Sequence, residues 1–393
     1  TDVVIKDPAN VQKLLVGTYG LARSSSSYGG SVALASELLA SDGELGWKGT
    51  FVAPGEFYDK AILADNSYVE NIWLNGYKIS NQSNIVLANL KIVADANERT
   101  RIEGEAKFLR GLVYFDLARL FSKPYIAGTV NSQLGVPIVL ELVLDPLKIT
   151  FPRRNTVEEV YKQVISDLTD AYNLLPKTNG FYATKYATAA LLARVYLQQG
   201  DFEKARDMAD FVIKESGNSL YPKFEKVFNN PENSTEDVFA LLVTSQDKSA
   251  NYFNTFWAGK EFGGRSGNPD VYVKDEHLEI YDDTLNDQRM MFFYTAKRRC
   301  TTKWKKQFAN IPFIRLAEMY LIRAEANQRK GTSIGNTPLE DINVLRARSG
   351  ASLFSSVDLD AILMERKREL SFEGFTLFDA KRLGKDIGSL SFD

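Results

Sequence analysis

Between Ala187 and Ile213 small and large apolar residues recur at helical spacing on either side of a glycine. Leu192, Ala193 and Tyr196 precede Gly200, and Phe202, Ala205 and Ala209 follow it. Small side chains let two helices approach closely, a tyrosine fills the groove between them, and a glycine permits the tight turn. The spacing predicts a helix hairpin. Fainter copies run from Leu109 to Phe121 (Gly111, Tyr114, Ala118) and from Phe313 to Gly331 (Ala317, Tyr320, Ala324), the latter followed by a second helix from Pro338 to Arg348. Periodicity also predicts an early helix, Asn10 to Arg23, and a long one from Tyr68 to Leu90. Asn155-Thr156 followed by Glu158-Glu159, and Asp358 before Leu359, have the chemistry of helix N-caps.

The hairpin spacing is that of tetratricopeptide units, and about four such hairpins suffice to stack into one continuous core. The pattern breaks from Leu39 to Asp65 and from Ser216 to Pro312, where Gly, Asn, Pro and aromatic residues cluster around short strand-like runs such as Val238 to Val243. The expected fold is therefore mainly α: a tetratricopeptide-like helical-hairpin scaffold with an irregular loop-rich lobe carrying short strands. Within a single domain, residues 1–215 form the first hairpins with a loop insert at 39–65, residues 216–312 an irregular ligand-binding insert, and residues 313–393 the closing helices.

Composition narrows the function. The 48 basic and 50 acidic side chains nearly cancel, leaving a net charge of -2 with no general attraction for nucleic acid or anionic lipid. Hydrophobic residues make up 44% of the chain, enough for a sizeable core. One cysteine, Cys300, excludes an internal disulfide. The best apolar run, Gly135 to Leu144, is short and interrupted by Glu141, so no membrane span is expected. The chain opens at Thr1 rather than methionine, and an upstream segment holding any export signal is expected to have been processed or trimmed.

The search for catalytic chemistry returns absences, and no catalytic residue, metal or cofactor is expected. A lone histidine, His277, excludes a two-histidine zinc motif, and it reads as a surface or loop residue. No G-x-S-x-G elbow or phosphate loop occurs; Gly264-Arg265-Ser266-Gly267 has the wrong spacing. Glu318 and Glu325 stand among Arg315, Arg323, Arg346 and Arg348, as expected for ion pairs locking helices. Glu365, Arg366, Arg368, Glu369 and Glu373 read as a structural charge network. The basic run Lys297, Arg298, Arg299, Lys303, Lys305 and Lys306 reads as an exposed strand whose lysines discourage edge pairing.

Aromatic residues carry the positive signal. The chain has 18 Tyr, 24 Phe and 4 Trp, and several fall in glycine-rich segments: Trp47 and Phe51 in DGELGWKGTF, and Tyr252, Phe253, Phe256 and Trp257 in NYFNTFWAGKEFGGRSGNPD beside Arg265 and Asn268. A sugar ring presents a face of polarised C–H groups suited to the face of an indole or phenol, while its hydroxyls need partners such as Asn, Asp and Arg. For any one ring, anchoring a loop to the helices is the equal alternative. Trp73, Tyr77 and Asn84 share a helix face, with packing the expected role of Trp73 and Asn84 within reach of a ligand.

The block from Phe313 to Gly384 carries, in order, Arg315, Ala317-Glu318, Tyr320-Leu321, Arg323-Ala324-Glu325-Ala326, Ile342-Asn343, Arg346, Arg348, Glu365-Arg366, Glu369-Leu370, Phe372-Glu373-Gly374, Asp379 and Lys381-Arg382-Leu383-Gly384. This block resembles the C-terminal signature of the SusD/RagB family, lipid-anchored surface proteins of Bacteroidetes. The resemblance implies a non-catalytic protein at the outer-membrane cell surface that captures an oligosaccharide or polysaccharide and passes it to a SusC-like TonB-dependent transporter, anchored through a lipidated cysteine upstream of the chain. It also implies a site built jointly from the early excursion and the insert, which supports Asp42, Trp47, Trp257 and Arg265 by region. With Phe51, Asn84, Tyr252, Phe256 and Asn268 these form the candidate ligand set. The alternatives are a peptide ligand, as in the RagB branch, held by Arg265 and the Lys297 to Lys306 strand; a helical repeat that binds only proteins; and a glycoside hydrolase working through two carboxylates.

Overall fold

A computed structural model describes residues 7–143, 152–246, 251–265, 269–388 and 391. The first helices are α1 (Pro8–Arg23), capped by Asp7, and α2 (Ser31–Ala40). The early excursion follows, with strand β1 (Leu45–Trp47) and helix α3 (Val52–Tyr58). Helices α4 (Ser67–Ala88), capped by Asn66, and α5 (Ala96–Phe121), capped by Asp95, form a long hairpin. Helix α6 (Val157–Leu174) starts with a full capping box between Thr156 and Glu159, as the Asn155-Thr156 signal predicts.

The predicted hairpin is α7 (Lys185–Gln199) and α8 (Phe202–Glu215), with Gly200 between them at φ +76°. The insert holds β2 (Asp237–Leu241), α9 (Tyr252–Trp257), β3 (Val271–Val273), β4 (Phe293–Ala296), β5 (Arg298–Thr301) and β6 (Ile311–Arg315). Helices α10 (Leu316–Lys330), α11 (Pro338–Arg348), α12 (Leu359–Leu370) and α13 (Thr376–Arg382) close the chain. The expected mainly α scaffold with a loop-rich, short-stranded lobe is the fold observed.

Helices stack in near-sequential order, α1 on α4, α4 on α5, α5 on α6, then α7, α8, α10 and α11. Small residues set the spacing: a Cβ added at Gly111 of α5 would come within 2.9 Å of Leu168 on α6, and one at Gly76 of α4 within 3.0 Å of Leu117 on α5. Tyr114 fills the groove and is buried; its hydroxyl donates to the Val139 carbonyl (3.0 Å) and accepts from Ser80 (3.1 Å). The described strands form antiparallel pairs, β1 with β3, β2 with β6 and β4 with β5.

The C-terminal arginines lock these elements together. Arg315, ending β6, reaches Glu236 (2.6 Å), Glu369 (2.9 Å) and Glu373 (2.8 Å). Arg348 of α11 meets Glu236 (2.8 Å) and Glu369 (2.5 Å), and Arg289 meets Asp287 (2.8 Å) and Glu365 (2.6 Å). Satellite pairs tie α7 to α10 (Arg194 to Glu318, 2.7 Å) and α10 to α8 and α11 (Arg323 to Asp210, 2.6 Å, and Asp341, 2.5 Å). Burial alone would raise the carboxyl of Glu369, but Arg348, Arg315 and Arg289 hold it far below the ordinary range.

Two expectations need correcting. The basic run is not one exposed strand: it turns at Lys297 (φ +58°) into the β4–β5 hairpin, and Lys303 is buried, donating to the Glu369 and Ser371 carbonyls and to Glu373. Alternation along a sequence reports strand pairing but not what packs over its end. His277 is not at the surface either; it is 1% exposed, in a 3-10 turn after β3.

Removing the hub carboxylate with Glu369→Ala leaves Arg289, Arg315 and Arg348 short of a counter-charge. A loss of about 3–5 kcal/mol is expected in urea denaturation, and a loss below about 1 kcal/mol would contradict the role of Glu369 as hub. A second test uses pH. Glu37 of α2 is buried and accepts from the Gly374 and Phe375 amides (2.7 and 3.1 Å) and from the Thr376 hydroxyl (2.8 Å), fastening α2 to the start of α13. Burial pushes its carboxyl up to about 7 against the pull of those donors. A carboxyl raised in the fold contributes most below its unfolded value, and that contribution is lost as pH rises through the folded one. Thermal stability is expected to fall between about pH 5 and pH 8 by on the order of 2 kcal/mol through this group. Glu37→Gln, which keeps an acceptor for both amides, is expected to flatten that slope.

Candidate functional site

The early excursion and the insert meet at the β1–β3 ribbon, with Leu45, Gly46 and Trp47 facing Val273, Tyr272 and Val271. Glycine at position 46 is required, since a Cβ there would lie 2.1 Å from the Tyr272 ring. The backbone carries the pairing one step further, from the Lys48 amide to the Asp270 carbonyl (2.8 Å). Beside the ribbon lies α9, capped by Asn251 and pinned by Asn254, whose Nδ2 donates to the carbonyls of Phe262, Trp304 and Lys305. The Tyr252 amide donates to the Gly29 carbonyl (2.8 Å), and a Cβ at Gly30 would meet Tyr252 at 2.3 Å.

These contacts gather an aromatic platform around Phe256, which is fully buried. Ring centroids of Trp47 and Phe51 each lie 6.0 Å from it, Tyr252 5.3 Å and Tyr68 6.4 Å. Phe51 is 41% exposed, Val52 beside it 74%, and Trp47, Tyr68 and Tyr252 are half-buried. The indole of Trp47 rests against Gly49 and Gly55, where an added Cβ would lie 2.3 and 3.2 Å from it. Arg265 crosses the edge: its Nε donates to Asp270 (2.8 Å), its Nη2 to the Thr50 hydroxyl (3.1 Å), and its guanidinium lies 4.1 Å over the Phe51 ring. Burial, with a hydrogen bond to Tyr252, raises the Tyr68 phenol, which stays a neutral donor and acceptor. The platform thus offers apolar ring faces flanked by hydroxyls and a guanidinium held in place.

Of the sequence-predicted residues, Trp47, Phe51, Tyr252, Phe256 and Arg265 come together here, with Phe256 as the buried pillar. Trp257 does not join them: it is 2% exposed and packed 5.3 Å from Phe372, so it is a core residue in this structure. Asn84 is also interior, accepting from Arg110 (2.8 Å) and donating to the Val139 carbonyl (2.9 Å). Asp42 is exposed but lines a separate 460 Å³ cavity with residues of α12 and α13. Asn268 lies outside the described residues. Trp73 packs on Tyr77 and Phe121, each 4.9 Å away. Tyr68, Thr50 and Asp270 were missed: each takes its place through a contact distant in sequence, and only Tyr68, just after the Asn66 cap, had a local signal.

The carboxylates that could suggest a hydrolase are occupied. Glu318 is engaged by Arg194, Glu325 by Arg329 and Arg382, and Glu365 by Arg289 and Arg346, all with no exposure. Among the described residues no His, Cys, Asp and Glu cluster fits a metal ion, and no helix is long and apolar enough to cross a membrane.

Comparison with known proteins gives a consistent result. The SusD family profile matches residues 177–389, more than half of the chain, and a second profile, described as starch-binding associating with outer membrane, matches residues 13–197. SusD-like protein P2 of Formosa agariphila is 25% identical over 96% of this chain and 84% of its own length. A SusD superfamily crystal structure from Bacteroides thetaiotaomicron is 28% identical, with a TM-score of 0.83 over 98% of this chain and 91% of that one. A laminarin-binding SusD-like protein, 20% identical, shares the fold with a TM-score of 0.81 over 96% of this chain and 92% of that one.

Pillar and surface residues should separate by stability. Phe256→Ala and Trp257→Ala are each expected to cost about 3–5 kcal/mol in chemical denaturation, whereas Phe51→Ala should cost less than about 1 kcal/mol. Equal losses in all three would contradict the division.

Proposed function

Because the chain belongs to the SusD family, we propose that it is a non-catalytic surface protein that captures an oligosaccharide on the Phe256-centred platform and hands it to a SusC-like TonB-dependent transporter, held at the outer membrane by a lipid anchor. The observation that carries the reading is the grouping of Trp47, Phe51, Tyr68 and Tyr252 beside Arg265. Sugar C–H faces stack on partly exposed rings, and the phenol hydroxyls, the Thr50 hydroxyl and the guanidinium meet the sugar hydroxyls. Since the ring positions are fixed from below by Phe256 and the glycines around Trp47, little side-chain freedom is lost on binding, which favours affinity in a shallow site. The starch-binding description of the matched family profile and the laminarin-binding relative both support a glycan over a peptide.

Calorimetric titration with maltohexaose and laminarihexaose tests the assignment. Trp47→Ala and Phe51→Ala are each expected to weaken binding by roughly tenfold while the fold persists by circular dichroism, the scale of one lost ring-stacking contact. Wild-type affinity in both folded variants would reject the platform.

A further inference from the structure

Glu44 immediately precedes β1 and sits where the excursion meets the scaffold. Its backbone carbonyl accepts from the Lys274 amide (2.9 Å), just past β3. Its side chain spans two further elements, with one oxygen on His277 Nδ1 (3.2 Å) and the other on the Lys367 ammonium of α12. The ribbon between this point and Trp47 is three residues long, about 10 Å. Its far end carries the platform contacts: Trp47 itself, the Lys48 amide on the Asp270 carbonyl, and Arg265 on the Asp270 side chain.

The surroundings of His277 determine what a second proton would do. The ring lies 4.6 Å from Phe372, 5.8 Å from Tyr281 and 6.0 Å from Phe293, and is 1% exposed. An ionised Glu44 can only accept, so Nδ1 carries the hydrogen, and the buried Nε2 has no hydrogen-bond partner. Adding a proton at Nε2 creates a charged donor facing aromatic rings. The charged groups around it are Glu44, already bonded through Nδ1, and the ammoniums of Lys367 and Lys303, which repel it. Burial is the largest effect and lowers the affinity of this histidine for a proton, while Glu44 works the other way. Burial likewise opposes the charge on Glu44, but His277 and Lys367 overcome it and keep that carboxyl below its ordinary range.

We propose that Glu44, His277 and Lys367 form a positioning clamp for the aromatic platform, and that protonation of His277 opens it, so that ligand is held near neutral pH and released in acid. The release step rests on the glycan-binding reading above; the opening of the ribbon does not. The direction follows from linkage: an imidazole kept neutral by the fold takes up its proton more readily when the ribbon is loosened, so ribbon stability falls as pH drops.

The chain has a single histidine, so nitrogen-15 histidine NMR reports on this ring alone. Its spectrum should show the hydrogen on Nδ1 at neutral pH. As pH falls below about 6.5, the ordinary imidazole value, protection factors of the Lys48 and Lys274 amides should drop by up to about tenfold per pH unit, because the loosened ribbon takes up the proton first. Affinity for the hexasaccharides should fall over the same range. In His277→Asn, whose Nδ2 stands where Nδ1 was, the pH dependence of protection should vanish. If that variant does not fold, Glu44→Gln, which breaks the charge pair with Lys367, should lower protection already at neutral pH. Protection that stays constant while the ring titrates, or that falls identically in the variant, overturns the clamp. Absence of glycan binding at every pH overturns the binding reading instead, and the exchange data still decide the clamp.

Discussion

Glu369 is the point on which the scaffold turns. It lies at the end of α12 with no exposure and receives Arg289, Arg315 and Arg348, which come from the insert, the end of β6 and α11. Through Arg315 and Arg348 it is linked to Glu236 at the start of β2, so segments distant in sequence converge on one set of buried charges. Such an arrangement need not be more stable than an apolar core of equal volume, because desolvating the ions consumes much of their attraction. What it imposes is geometry: each guanidinium fork has directional partners, and a slipped packing would strand a charge. Apolar contacts alone would tolerate small sliding of one helix on another.

That rigidity bears on the site. The stacked helices supply one platform ring, Tyr68 of α4, while the other rings and Arg265 come from two excursions, each fastened to the signature region. Lys303 after β5 donates to the Glu369 and Ser371 carbonyls, and Trp304 donates to the Phe372 carbonyl (2.8 Å). In the early excursion Glu44 accepts from the Lys367 ammonium of α12, and just before it Glu37 of α2 accepts from the Gly374 and Phe375 amides. A left-handed Phe372 (φ +69°) and Gly374 (φ +88°) make the bend that presents these groups, and a Cβ at 374 would lie 2.7 Å from Ala33 of α2. The stretch after Glu369 is therefore a hub to which the loops are attached.

Much of this is legible in the sequence. Caps such as Thr156 and Asp358, and the Gly200 turn, are local chemistry, and local chemistry survives into the fold. The C-terminal charges were legible as a lock because so many arginines and glutamates at apolar spacing have no other satisfactory environment. Helix α2 was not: residues such as Leu34, Ala35 and Leu38 are buried around its whole circumference, so no polar face marks its period. His277 and Lys303 were misread for a related reason. A polar residue looks exposed unless its partners are known, and theirs lie on segments far away in the chain.

The same limit explains the divided fate of the aromatic residues. On a short helix, consecutive side chains point about 100° apart, so Phe256 and Trp257 cannot both serve one surface. Phe256 supports the platform from beneath and Trp257 enters the core beside Phe372. Composition could locate the segment that builds a site, but only register decides which ring faces a ligand. Register here is set by Asn251 capping α9 and by Asn254 holding it to the Phe262, Trp304 and Lys305 carbonyls. The polar residues of the loop thus decide which ring of α9 supports the platform and which enters the core.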